Sequence, residues 1–158
     1  IKVHPLALLG YEQLEDGERA NVGGCFCGAI ELRIEGSPSA MGFCHCISCR
    51  QWSGSPVNAF TLWQPIAVTI VRGAKLIGTF ARSERSVRKW CTRCGGHLFT
   101  EHPRWGLVDV HTAVLPGFPF DPQFHMNYGD HAVRIPDGLP KMKDLPAPMG
   151  GTGTTMPE

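Results

Sequence analysis

The sequence of 158 residues has little net charge and no long apolar run, and each absence excludes a class of function. Its 15 Lys and Arg residues against 14 Asp and Glu residues leave a formal charge of +1, so neither nucleic acid nor an anionic membrane is indicated as a partner. No stretch approaches the roughly 18 consecutive apolar residues that a membrane span needs. The first residues lack the basic segment typical of a secretion signal, so we expect a cytoplasmic location.

A sustained helical period is also missing, whereas turn-forming residues are abundant. Gly and Pro number 19 and 13, about a fifth of the chain, which favours many turns over a helical bundle. A single turn of helix is predicted around residues 48–52. Short β-rich runs are predicted at 29–34, 57–62, 66–71, 76–80, 87–90, 97–100 and 107–113.

These patterns predict a mainly β fold of antiparallel sheets, formed by one domain over residues 1–158. Its core is expected at about 20–140. The remaining segment, 141–158, is rich in Pro and Gly, and we expect it to be a tail that is extended over the surface or disordered.

Seven cysteines carry most of the functional information. They are Cys25, Cys27, Cys44, Cys46, Cys49, Cys91 and Cys94. A disulfide framework is disfavoured because the count is odd and no secretion signal is visible. A tetrahedral zinc site places neighbouring sulfurs about 3.8 Å apart, so its ligands usually arrive as close pairs on bent backbone. Glycines beside the first and last pairs, such as Gly28 and Gly95, permit such bends.

The clusters divide most simply into four ligands and three. A closed structural zinc site takes two pairs, which are Cys25, Cys27, Cys91 and Cys94. A catalytic zinc site has three protein ligands and one exchangeable position, which matches Cys44, Cys46 and Cys49. We therefore predict two zinc ions per chain, the second of them catalytic.

Two alternatives to this division stay open at the level of sequence. In the first, Cys25 and Cys27 would join part of the 44–49 cluster and leave the 91/94 pair in the open site. In the second, a histidine would close the three-cysteine site and make it structural. His45 is the nearest histidine in sequence, but adjacent side chains diverge, so we expect it to lie behind the ligands or to face solvent.

Two residues that follow the middle cluster are candidates for contact with a substrate. Arg50 comes directly after the last cysteine and can pair with a substrate carboxylate. Trp52 lies two residues further on and can form one wall of a pocket beside the open metal position.

At this point the sequence resembles the glutathione-dependent formaldehyde-activating enzyme family, over roughly residues 20–140. The stretches that carry the resemblance are Gly23-Gly-Cys-Phe-Cys-Gly-Ala-Ile30, Cys44-His-Cys-Ile-Ser-Cys-Arg50 with Ser53-Gly54, Cys91-Thr-Arg-Cys-Gly95, Arg82-Ser83 and Asp137-Gly-Leu-Pro140. The resemblance implies the β-tent fold and the same division of the cysteines between a structural and a catalytic zinc ion. It also implies S-(hydroxymethyl)glutathione synthesis, a carbon–sulfur lyase reaction run in reverse, with glutathione and formaldehyde as partners.

Two hypotheses of different classes follow. The first is a zinc-dependent carbon–sulfur lyase that binds glutathione or a similar thiol at the open three-cysteine zinc and forms or cleaves its hydroxymethyl adduct. The second is a non-catalytic, zinc-stabilised scaffold that binds another protein. A nucleic-acid-binding zinc ribbon ranks third because the charge is close to neutral. For the glutathione carboxylates, Arg82, Arg85 and Arg88 are candidates besides Arg50.

Overall fold

The computed structural model describes residues 1–3 and 20–158. Its elements, in chain order, are β1 (Lys2–Val3), β2 (Asn21–Gly24), β3 (Glu31–Ile34), β4 (Ala40–Cys44), α1 (Ile47–Ser53), β5 (Asn58–Trp63), β6 (Val68–Arg72), β7 (Ile77–Ser83), β8 (Ser86–Cys91), β9 (His97–His102), β10 (Leu107–His111), β11 (Phe124–Met126), β12 (Lys141–Met142) and β13 (Thr155–Met156). Short 3₁₀ helices lie at Pro65–Ala67, Ala74–Leu76, Thr112–Val114, Tyr128–Asp130 and Ala147–Met149. The mainly β fold predicted from the sequence is confirmed, and each predicted β run overlaps a strand.

The chain forms two compact units, and it passes from one to the other at 39/40, 61/62 and 119/120. Among residues 1–3 and 20–158, no helix has the length and apolar content that a membrane crossing requires.

The first unit contains residues 1–39 and 62–119. It holds a sheet of order β1-β6-β3-β2 and an antiparallel run of order β10-β9-β8-β7. Strand β3 follows from the alternation of buried and partly exposed side chains. Leu32 and Ile34 are fully buried, whereas Glu31 and Arg33 are partly exposed. Burying each such side chain contributes about 1.5–3 kcal/mol to folding. The core of this unit also contains Trp63, Val68, Leu98, Phe99, Val108 and Val110.

The second unit contains residues 40–61 and 120–158, with strand order β13-β12-β11-β4 followed by the first part of β5. Here β11 pairs in parallel with both β4 and β12, and β1 pairs in parallel with β6 in the first unit. The sequence pattern predicted antiparallel sheets and did not indicate these three parallel pairings. Gly42 allows the close approach of β11, since a Cβ atom there would lie 2.4 Å from the Phe124 carbonyl oxygen.

The segment 141–158 has more structure than its composition suggested. Its strands β12 and β13 pair antiparallel, and the Lys141 side chain is 1% exposed. The Glu158 carboxylate accepts hydrogen bonds from Lys141 Nζ at 3.0 Å and from the Gly138 N–H at 2.6 Å. The Pro- and Gly-rich composition suggested a disordered or surface-extended tail. Composition alone does not reveal that a segment pairs with another strand or contains a buried charge.

Candidate metal centres

Four thiols converge in the first unit. They belong to Cys25, Cys27, Cys91 and Cys94, and their sulfurs all lie within 4.8 Å of one another. The Cys25 and Cys27 sulfurs are 3.6 Å apart, and those of Cys27 and Cys91 are 3.9 Å apart. Because sulfurs bound to one tetrahedral zinc ion stand about 3.8 Å apart, this donor set fits zinc.

Two tight turns of backbone build this four-cysteine cluster. Cys25 follows β2, and its carbonyl oxygen accepts a hydrogen bond from the N–H of Gly28, which has a φ of 72°. Cys91 ends β8, and its carbonyl oxygen accepts from the N–H of Gly95, which has a φ of 75°. Both glycines adopt the left-handed conformation that side chains disfavour. The turns thus bring each cysteine pair onto a bend, as the spacing predicted.

The thiols of the four-cysteine cluster differ in pKa. Hydrogen bonds from the N–H groups of Gly96 and Cys27 lower the pKa of Cys94 to about 6. Burial, by contrast, raises the pKa of Cys91 to about 11. A divalent cation offsets the cost of a buried thiolate, so a bound metal ion would allow all four sulfurs to ionise together.

A second group of three thiols converges in the second unit. Cys44 ends β4, Cys46 is the N-cap of α1 and Cys49 lies in its first turns, and their sulfurs all lie within 4.8 Å of one another. The Cys49 N–H donates to Cys46 Sγ at 3.2 Å, and Asn127 Nδ2 donates to Cys44 Sγ at 3.6 Å. Across the described ranges, no His, Asp or Glu side chain joins this group.

The three-cysteine cluster also suits a cation. The neighbouring sulfurs of Cys46 and Cys49, together with burial, raise the pKa of the Cys44 thiol well above its ordinary value. Three thiolates at this spacing therefore need a positive partner. Both groups of cysteines could hold metal ions, and each draws its members from the set that the sequence analysis favoured.

Arg50 and Trp52 lie on α1, the helix that also carries Cys49. Arg50 Nε donates to the His45 carbonyl oxygen at 2.9 Å, and an Arg50 Nη donates to the Asp130 carbonyl oxygen at 2.8 Å. The guanidinium therefore supports the protein's own backbone with two of its donors. Trp52 is partly exposed in the second half of the helix.

Of the arginines considered for substrate carboxylates, Arg82 and Arg85 are exposed near the turn between β7 and β8, whereas Arg88 is 7% exposed on β8.

A hydrogen-bonded chain that starts at His45, between two of the three cysteines, went unrecognised in the sequence. His45 Nε2 lies 2.8 Å from His125 Nδ1, and both side chains are fully buried. His125 Nε2 lies 2.9 Å from Asp137 Oδ2, and the ring of Tyr128 packs edge-on against His45. Burial, and then the nearby charge of His125, lower the pKa of His45 to about 4, so its ring is neutral at pH 7. His45 alone had a local signal, its place between two cysteines, because its partners are distant in sequence.

Two curated proteins are similar in sequence to this chain. A protein of Schizosaccharomyces pombe named an uncharacterized lyase is 34% identical over 77 residues, which cover 49% of this chain and 54% of that protein. A Halomonas elongata protein provisionally named a glutathione-dependent formaldehyde-activating enzyme is 30% identical over 90 residues, which cover 52% of this chain and 57% of that protein. The chain thus spans about half the length of the curated relatives it matches.

A solved structure and a family model extend the comparison. The crystal structure of a Rhodobacter sphaeroides protein superposes with a TM-score of 0.53 at 22% identity, over 61% of this chain and 88% of that one, which shows a shared fold. The family model described as glutathione-dependent formaldehyde-activating enzyme matches residues 20–129, a range that contains both cysteine clusters. The chain therefore belongs to the glutathione-dependent formaldehyde-activating enzyme family.

Proposed function

We propose that this protein is a zinc-dependent carbon–sulfur lyase that binds a thiol, glutathione or a similar molecule, at the three-cysteine cluster and forms or cleaves its hydroxymethyl adduct with formaldehyde. The observation that carries the proposal is the convergence of Cys44, Cys46 and Cys49 without a fourth protein ligand among the described residues. Membership of a formaldehyde-activating family, and a relative named a lyase, support the reaction class.

The residues present fit two zinc ions with different tasks. Four sulfurs satisfy a tetrahedral ion, which suits a structural role at the first cluster. Three sulfurs leave one coordination position for an exchangeable ligand, which suits a role in catalysis at the second. When bound there, zinc supplies Lewis acidity that lowers the pKa of an incoming thiol.

The proposed reaction needs neither oxidant nor reductant. The thiol sulfur forms a bond to the carbonyl carbon of formaldehyde while the C=O π bond breaks. The carbonyl oxygen takes the proton that the thiol loses, which gives an S–CH₂–OH group. The reverse reaction moves the same proton and electron pair back and releases formaldehyde. Because the uncatalysed addition is already feasible, the protein contributes by binding and orienting the thiol.

The chain's own residues hold this site in shape. Cys44 is fixed by β4 and by the amide of Asn127, whereas Cys46 and Cys49 are fixed by the first turns of α1. We propose that Trp52 offers its ring as an apolar wall for the bound thiol. Arg50 is proposed to meet a substrate carboxylate with the N–H groups that do not point to the His45 and Asp130 carbonyl oxygens.

Exchange spectroscopy by NMR tests this proposal, since it measures the rate at which glutathione and its hydroxymethyl adduct interconvert at equilibrium. We expect the protein to raise this rate above the protein-free background and Cys46→Ser to return it to background. Ser48→Ala is the matched control, because Ser48 lies exposed in the same helix. A Cys46→Ser variant as active as the wild type would remove the cluster from the mechanism. A folded, zinc-loaded protein without any acceleration would favour the scaffold hypothesis.

A further inference from the structure

The chain of hydrogen bonds from Asp137 through the buried His125 to the buried His45 has a defined direction. An ionised carboxylate can only accept hydrogen bonds, so His125 Nε2 must donate to Asp137 Oδ2 across their 2.9 Å contact. His45 Nδ1 is buried without a hydrogen-bond partner among the described residues, so the ring proton belongs on His45 Nε2, which donates to His125 Nδ1 across 2.8 Å. The two hydrogen bonds together define the direction of the chain.

The surroundings of Asp137 hold its carboxylate in the ionised form. Burial alone would raise its pKa, but hydrogen bonds from Lys141 and His125 outweigh that effect and lower the pKa well below its usual range. The Leu139 N–H also donates to Asp137 Oδ1 at 3.1 Å. Lys141 is itself held by Glu158 at 3.0 Å. The Asp137 carboxylate, although its side chain is 29% exposed, is thus held by three donors, which are Lys141 Nζ, His125 Nε2 and the Leu139 N–H.

The other end of the chain is attached to the three-cysteine cluster through the backbone. His45 stands between Cys44 and Cys46 in the sequence, so its position constrains both sulfurs. Its N–H donates to the Met126 carbonyl oxygen at 3.0 Å, and its carbonyl oxygen accepts from Arg50 Nε at 2.9 Å. The bond to His125 is the third restraint, and it is the one made by the side chain.

We propose that Asp137, His125 and His45 form a one-way hydrogen-bond relay that positions the loop carrying Cys44 and Cys46 and so sets how tightly the three-cysteine cluster holds its metal ion. The inference rests on the proposed function only in taking a metal ion to bind at this cluster. Asp137 lies beyond residues 20–129, which the family model matches, so the relay makes the chain's C-terminal segment part of the site. The three side chains are positioning residues.

The first test uses metal-free protein and needs no activity. Long-range ¹H–¹⁵N spectra of the histidine side chains report which ring nitrogen carries the proton. In the wild type we expect His125 and His45 both to carry it on Nε2. Asp137→Asn should disturb this state, because an amide can donate as well as accept. Asp144→Asn is the matched control, since that carboxylate binds Thr152 and lies in the same unit outside the relay.

The second test measures zinc affinity by competition with a chromophoric chelator. Removing outer partners of metal ligands typically weakens metal binding by roughly 10–100-fold, and we expect a loss of that size at one site per chain in Asp137→Asn. The four-cysteine cluster, in the other unit, is the internal reference and should keep its affinity. Thermal melts separate this selective loss from a general loss of folding.

His125→Gln breaks the relay at its centre and serves as the second variant should Asp137→Asn fail to fold. Unchanged ring protonation together with unchanged zinc affinity at both sites would overturn the proposal, as would equal weakening of both sites. A wild type without zinc at the three-cysteine cluster would instead contradict the proposed function. In that case the ring protonation of Asp137→Asn still decides whether the relay exists.

Discussion

Replacing Cys91 by Ser should destabilise the protein far more than the same change at Cys46. A metal ion at the four-cysteine cluster links residues far apart, since Cys27 and Cys91 are separated by 64 positions. Closing a loop of that length removes unfolded-state entropy worth about 4 kcal/mol at 25 °C. At the other cluster, Cys46 and Cys49 are separated by 3 positions, and the corresponding figure is about 2 kcal/mol.

Thermal unfolding followed by circular dichroism measures the difference. For a chain of this size, each kcal/mol corresponds to a change in Tm of roughly 2–4 °C. Cys91→Ser should therefore melt roughly 8–16 °C below the wild type and contain less zinc. Cys46→Ser, the matched control, should lose about half as much. Equal melting temperatures for the two variants, or a Cys91→Ser protein as stable as the wild type, would refute the assignment of the four-cysteine cluster as the structural site.

Two further perturbations test the fold and its charges. Burial, with the nearby charges of His97 and Arg88, lowers the pKa of His111 to about 4, so between pH 6.5 and 4 the unfolded state binds more protons than the folded one. The free energy of unfolding, measured by urea titration, should therefore fall by about 3 kcal/mol as the pH is lowered from 6.5 to 4. His111→Gln should remove that part of the loss. A variant whose stability depends on pH as steeply as the wild type would contradict this. Gly42→Ala places a Cβ atom 2.4 Å from the Phe124 carbonyl oxygen and should cost about 1–3 kcal/mol, whereas wild-type stability would show that β4 and β11 can separate freely.

The sequence predicted the parts of the fold that depend on local patterns. The run at 29–34 became β3 because its apolar residues alternate, and residues 48–52 became α1. Strands β11 and β12 escaped notice because they are short and owe their conformation to parallel partners rather than to their own residues. The ordered structure of 141–158 also escaped notice, since Lys141 meets Asp137 and Glu158 only after folding.

The cysteine clusters were accessible to sequence reasoning because metal ligands arrive in pairs with restricted spacing. The relay that starts at His45 was not. His125 follows His45 by 80 positions and Asp137 follows His125 by 12, and no local spacing pattern links these three residues. For Arg50, its place after Cys49 suggested a substrate contact, and that stays a prediction. The hydrogen bonds of two of its donors to the His45 and Asp130 carbonyl oxygens could not be predicted, because Asp130 lies 80 positions away.

The most direct test of an open catalytic metal at the three-cysteine cluster is X-ray absorption at the zinc edge, combined with zinc content per chain, before and after addition of millimolar glutathione. We expect two zinc ions per chain, which share the sulfurs of all seven cysteines. Glutathione should add one sulfur to that total, at the three-cysteine cluster. A single tightly bound zinc ion, or two ions whose sulfur coordination is unchanged by the thiol, would contradict the claim that Cys44, Cys46 and Cys49 hold an open catalytic metal.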